Sequence, residues 1–318
     1  LVEPVWINLK ENINIMLGIS TVWKSGEFKD GQKLMESLAS LGFREIELEY
    51  RISQDTFKGI KQFLKNTNEV KIASIHNFFP IPDIHETGGA DIFHFSAENA
   101  DERSLAVKYA IKTIQIAADL GARAVVLHLG RVHMDTLSLE LFRLLDAGLI
   151  GSDKFVSKRD ELRILRDRKK GKTLDMMLQS MDEIQKAADK YDINIGIENR
   201  YFFEECPNYE EMGVIFEKFG GGRIGYWHDA GHAQVQENLG FVTVADLLSI
   251  CGKFLVGFHL HDVRGYSDHH VPGIGEVDFD LLKKYMKKDT VKIMEIHPRE
   301  TEKDLMDGVA FLKNMGFE

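Results

Sequence analysis

Eight short runs rich in Val, Ile, Leu and Phe recur along this chain, at residues 15–20, 44–49, 71–76, 123–128, 193–198, 224–229, 254–259 and 291–296. Between them lie longer stretches, among them 31–41, 104–120, 174–191, 209–219 and 243–251, whose apolar residues return at helical spacing while Lys, Glu and Gln fill the other face. That alternation specifies the α/β class, with a parallel sheet wrapped by helices. Eight units fit a closed (β/α)8 barrel better than an open sheet. Gly42, Gly121 and Gly316 follow helical stretches, where a left-handed cap is expected. The rhythm breaks once. After strand four, at about 131–172, the chain inserts a helical excursion, with short helices expected at 139–145 and 162–168 and a charged run at 158–161. The expectation is a single domain over 1–318, since a barrel with an insertion absorbs this length.

Lys and Arg number 40 against 50 Asp and Glu, a formal charge of −10. Such a field repels phosphate backbones and anionic lipid, so nucleic acid and membrane surfaces are not expected partners. The basic stretch 163–172 is a local exception. Cys206 and Cys251 form no C-x-x-C pair, which suits a reducing compartment. Leu1 to Lys10 lacks an apolar run after a basic cluster, and no apolar stretch reaches the ~18 residues of a membrane helix. A soluble, cytoplasmic protein is expected.

The positions of the polar residues are more informative. Six runs carry an ionisable side chain at or next to their C-terminal end: His76, His128, Glu198, Asp229, His259 and Glu295. In a barrel these ends form one mouth. Counting back in twos turns Ser74, Val126, Gly196, Trp227, Gly257 and Ile293 inward, and leaves Ile75, Leu127, Ile197, Phe258 and Met294 beneath the helices. Several carboxylates confined to one mouth repel each other unless a cation compensates them. Mixed imidazole and carboxylate donors suit Zn²⁺, Mn²⁺, Co²⁺ or Fe²⁺. The flanking sequence adds Glu47 on strand two, His232 three residues past Asp229, Arg264 after His261, and Asp268, His269 and His270 in a loop with Gly273 and Gly275.

Together these residues resemble the xylose isomerase-like barrel superfamily: sugar isomerases and epimerases of the D-tagatose 3-epimerase and hydroxypyruvate isomerase kind, inosose dehydratases and the endonuclease IV group. The resemblance runs from the segment 42–48 to Glu295. It implies one divalent ion held by Glu198, Asp229, His259 and Glu295, with His232 on a substrate oxygen and Arg264 nearby. The endonuclease IV group holds further zinc ions, and His76, His128, His232, Asp268 and His269 are similar to that set. The strand-seven loop is offset, so either Asp268 shifts or His270 substitutes. The activity implied is isomerisation or epimerisation of a small sugar or related polyhydroxy carbonyl compound. Glu198 and Glu295 would move the proton through an enediolate, with His232 and Arg264 stabilising the oxyanion. Trp23, Phe78, Phe79 and Trp227 are candidate faces for the sugar. The alternatives are an inosose dehydratase-type lyase, a phosphodiesterase acting on abasic DNA, and a non-catalytic sugar- or metal-binding barrel. Self-association into a homo-oligomer stays open.

Overall fold

The computed structural model describes residues 17–317. Readings placed on Leu1–Lys10 and on the start of the first run lie outside the described residues. Eight parallel strands close in chain order: β1 (Gly18–Ser20), β2 (Glu45–Leu48), β3 (Lys71–His76), β4 (Ala124–Leu127), β5 (Asn194–Glu198), β6 (Ile224–Asp229), β7 (Leu255–Leu260) and β8 (Val291–Met294). Around them run α1 (Gly31–Ser40), α2 (Gln54–Lys65), α3 (Ala100–Asp119), α4 (Ser138–Asp146), α5 (Asp153–Lys169), α6 (Thr173–Tyr191), α7 (Tyr209–Phe219), α8 (Ala230–Asn238), α9 (Val244–Cys251), α10 (Phe279–Lys283) and α11 (Glu302–Asn314). The (β/α)8 expectation holds. None of these helices is long and apolar enough to cross a membrane.

The two strand faces divide as the alternation requires. Ile75, Leu127, Ile197, Phe258 and Met294 pack in the large cluster beneath the helices. Ala124, Val126, Trp227, Val291 and Ile293 fill the inside. Trp227 decides how that interior is filled. Its indole lies where a Cβ on either flanking strand would stand, 2.4 Å from one at Gly257 and 2.8 Å from one at Gly196. Glycine at those two positions is therefore room for an aromatic floor. A register shift between β2 and β3 brings Glu47 opposite Ser74, and the Ser74 hydroxyl donates to Glu47 Oε2 at 2.7 Å.

The inserted helices differ from the expectation in length. The second spans the whole of α5, capped by Ser152, whose hydroxyl accepts from Phe155 N. Leu141, Phe142, Phe155 and Leu162 of the insertion form a second apolar cluster with Val235 and Leu239 of α8 and with Val263. Nor is its charge all solvated. Arg166 is buried and donates to both oxygens of Glu211 at 3.0 and 2.9 Å, clasping α5 to the start of α7.

Candidate metal centre

Each barrel strand from β2 to β8 delivers a polar residue to the mouth. His259 occupies the centre, above the Trp227 indole, with ring centroids 5.1 Å apart. Its Nδ1 lies 3.0 Å from Glu295 Oε2, 3.3 Å from Glu198 Oε1 and 3.5 Å from Asp229 Oδ2. Those four residues place one donor atom each within 4.8 Å of one another, all buried. A second group shares Glu198: His76 Nε2 and His128 Nε2 lie 3.2 and 3.0 Å from its Oε2. A third joins His232, Asp268 and His269, and a fourth Asp229, His261 and His269.

The outward nitrogens show what these rings are arranged to do. In a neutral imidazole one nitrogen carries the proton and the other a lone pair. His259 Nε2 faces Glu47 Oε1 and Oε2 at 3.1 and 3.2 Å. His76 Nδ1 faces the Asn77 carbonyl at 3.1 Å, His128 Nδ1 faces Asp91 Oδ2 at 2.9 Å, and His232 Nδ1 faces the Asn199 carbonyl at 3.2 Å. Every one of those partners is an acceptor, which favours a proton on that nitrogen. The other nitrogen of each ring faces the carboxylates of the mouth, where, once deprotonated, it would turn a lone pair to an ion, as a ligating histidine held by its other nitrogen does. His261 is built the opposite way. Its Nδ1 accepts from the His269 backbone N–H at 2.9 Å, so Nε2 donates to Asp229 Oδ1 at 2.8 Å and no lone pair remains for an ion. It braces Asp229 and His269 instead.

Asp229 is fixed from three sides. Its Oδ1 caps α8 by accepting from His232 N at 2.7 Å, which sets His232 in the first helical turn. Asn199 accepts from Asp229 N and donates to Asp229 O, both at 2.9 Å. Those two bonds settle the amide orientation, so Tyr226 Oη donates to Asn199 Oδ1 and accepts from His228 Nδ1 at 2.8 Å. Burial drives the His228 pKa down to about 3, so it stays neutral on the outer face of β6.

Electrostatics in the mouth are mutual. Burial would raise the Glu198 carboxyl, but His128 and His259 outweigh it and hold it well below the usual range. Burial likewise opposes ionisation of Glu295, yet His259 and His269 bring it down to about 2. His259 is pushed well up, against its own desolvation, by Glu295, Glu47 and Glu198. Buried carboxylates thus stay anionic only by keeping imidazoles cationic. A divalent ion meets the same demand, and the oxygen and nitrogen donors present fit one.

Glu198, Asp229, His259, Glu295, His76, His128, His232, Asp268 and His269 therefore come together, and Glu47 supports them. Two expectations are corrected. Arg264 is exposed and donates through Nε to the Ile274 carbonyl rather than entering the mouth. His270 turns aside to Glu300 Oε1 at 2.9 Å and Ser267 Oγ at 3.0 Å. His269 has φ of 56°, a left-handed conformation that lets two consecutive residues, Asp268 and His269, aim at one point. The shift thus falls on Asp268. The four aromatic candidates are all buried in packing: Trp23, Phe78 and Phe79 belong to the outer core and Trp227 to the floor. Sequence reasoning left out Asp91 and Asp262. The Asp262 carboxylate accepts from the backbone of Val263, Gly273, Gly275 and Val277 at 2.8–3.1 Å and winds the strand-seven loop around itself.

The chain is 30% identical over 115 residues to an uncharacterized protein, MJ1311, of Methanocaldococcus jannaschii, a match covering 35% of this chain and 39% of that one. Among solved structures it is similar to a D-tagatose 3-epimerase-like protein, with TM-score 0.64 and 22% identity over 93% of this chain and 95% of the other. The IOLI protein, crystallised with a zinc atom, matches with TM-score 0.57 and 14% identity over 94% and 95%. At these identities the likeness is one of fold. A family model described as the xylose isomerase-like TIM barrel matches residues 35–315, nearly the whole chain, and the protein belongs to that family.

Proposed function

We propose that this chain is a divalent-metal-dependent enzyme that isomerises or epimerises a small sugar or related polyhydroxy carbonyl compound. The observation that carries the reading is the set of imidazoles, each tethered by one nitrogen to an acceptor outside the mouth and presenting the other to buried carboxylates that an ion would share with it. Family membership and a neighbour named for D-tagatose 3-epimerase support it. Glu198, Asp229, His259 and Glu295 would hold the ion, whose Lewis acidity on a carbonyl and its neighbouring hydroxyl acidifies the C–H between them. Among the described residues no hydrogen bond engages Glu295 Oε1, so this carboxylate is the one placed to take the proton. Glu198, three staves around the barrel, is the second of the pair. Both its oxygens face imidazoles, so its share in proton transfer depends on how His76 and His128 are engaged. His232 keeps Nε2 for a substrate oxygen. Arg264 has no part in this scheme.

A second reading, phosphodiester hydrolysis, is favoured by the two further donor groups, His76–His128–Glu198 and His232–Asp268–His269. The charge of −10 opposes it, and Arg166 of the basic stretch is spent inside the fold. Elemental analysis together with a panel of ketoses, inososes and abasic DNA separates the two. Isomerisation predicts deuterium uptake from D2O at the substrate carbon, lost in Glu295→Gln. A metal-free protein, or three metals with DNA cleavage and no exchange, would reverse the assignment.

A further inference from the structure

The donor groups leave one arc of the mouth free. Every member comes from β3 through β8 or from the segments that follow those strands; among the described residues, β1 and β2 add none. Tyr50 stands on that arc, two residues past the end of β2. Its ring meets the His76 ring edge-on, with centroids 5.1 Å apart, and the Arg51 guanidinium lies over it at 5.8 Å. Arg51 is fastened in turn, donating to Glu49 Oε2 at 3.0 Å and to the Val22 carbonyl at 3.2 Å. The long loop between β3 and α3 presses on the same residue: Gly88 lies so close to the Tyr50 carbonyl that no Cβ would fit between them. Ring and backbone are thus both held, as a contact residue needs to be.

The hydroxyl, by contrast, is not engaged. Tyr201, whose ring lies 5.6 Å from that of His232, donates its hydroxyl to the Tyr266 carbonyl, and Tyr266 donates to Asp146 Oδ2. Among the described residues no hydrogen bond engages Tyr50 Oη. A phenol that only filled space would do so as well without its oxygen, and a tyrosine hydroxyl drawn out of water ordinarily finds a partner. Tyr50 is half-buried rather than sealed. Burial, Glu295 and Glu49 push its pKa well up, so the oxygen keeps its proton and remains a donor.

We propose that Tyr50 is a substrate-binding residue, whose phenol donates to a hydroxyl of the polyhydroxy substrate beyond the carbonyl and hydroxyl that react. The inference deepens the proposed function and rests on it. In that scheme the reacting oxygens meet the ion and His232 Nε2. His232 follows β6, and β2 and β6 stand opposite one another in the closed barrel, so Tyr50 faces the other end of the molecule. A substrate that touches both carries at least one hydroxyl outside the reacting pair, as ketoses and inososes do.

Tyr50→Phe, loaded with Mn²⁺, tests this with D-tagatose as the probe, or with the fastest member of the ketose and inosose panel where D-tagatose is inert. Deuterium uptake from D2O gives kcat and KM. Loss of one hydrogen bond made equally in the ground and transition states should raise KM about 3–10-fold and leave kcat within about twofold. Because Tyr50 Oη bonds nothing within the fold, the variant should melt with wild type and keep the full metal-induced rise in Tm. A drop in either melt, or failure to fold, marks the hydroxyl as structural and overturns the proposal. A wild-type KM, or a fall in kcat alone, overturns it too and leaves the proposed function standing. Wild type that exchanges no member of the panel removes both.

Discussion

Glu47→Gln is the most direct test of how the centre is held together. Glu47 is fully buried on β2, where it accepts from His259 Nε2 and from the Ser74 hydroxyl. By fixing the His259 proton on Nε2 it commits Nδ1 to the pocket of Glu198, Asp229 and Glu295. Glutamine keeps the volume and one acceptor oxygen, but its amide N–H₂ must confront either Ser74 or His259. Loss of such a support weakens metal binding by about 10–100-fold, or about 1.4–2.7 kcal/mol. With the metal in excess, the stabilisation it confers falls by the same amount. For 318 residues, an unfolding entropy of ~2.1 cal/mol/K per residue turns that into a loss of about 2–4 °C from the metal-induced rise in Tm. Paired thermal melts, metal-free and with excess Mn²⁺, give the difference directly. Metal-free Glu47→Gln should melt somewhat below wild type, since buried His259 loses a carboxylate partner, so the deciding quantity is the metal-induced rise rather than either melt alone. An undiminished metal-induced rise would refute the support role, and an equal drop in both melts would mark Glu47 as structural only.

Gly257→Ala should destabilise by about 1–3 kcal/mol in urea denaturation, because its Cβ would stand 2.4 Å from the Trp227 ring; a neutral result would mean the floor can tilt. Arg166→Met leaves the buried Glu211 carboxylate without its ion pair and should cost about 3–5 kcal/mol by the same measurement. The pH dependence follows from His128. Burial and Arg200 lower it, but Asp91 and Glu198 outweigh them and raise its pKa to about 9. A raised folded pKa stabilises fully below the unfolded value of about 6.5 and is lost as pH climbs through about 9. Metal-free protein should therefore lose stability over that window while Zn²⁺ affinity rises, as the ion ceases to compete with the proton; urea midpoints that are flat between pH 6.5 and 9.5 would contradict this.

The strand ends were readable because burial on both faces leaves few places for a charge. When Ser74, Gly196, Trp227 and Gly257 share one parity, the ionisable residue two positions on has to face the mouth. What the sequence hides is geometry beyond the last hydrogen-bonded pair. Arg264 follows His261 at a plausible distance, yet the four backbone N–H groups gathered by Asp262 wind the loop so that Arg264 points out. Consecutive Asp268 and His269 read as opposed neighbours until the left-handed turn at His269 aligns them. The charged pattern around Arg166 looks like a solvated face because its partner, Glu211, lies 45 residues away. Asp91 has no local signature at all.

How many cations such a mouth would hold is hidden for a different reason, which is that the donor groups overlap. Glu198 faces the central group with Oε1 and the His76–His128 pair with Oε2. Any ion beside His128 would draw on the same carboxylate that the central ion needs, and would take from Glu198 the electron density it requires as a proton acceptor. A cation beside His76 and His128 and proton transfer by Glu198 would therefore oppose each other. Under the proposed function, a cation held there would leave Glu295 as the base; without one, Glu198 and Glu295 would be the two carboxylates available to the substrate. His128, which would share that cation, is itself held from outside the mouth, by Asp91 Oδ2, which Arg200 Nη2 also engages.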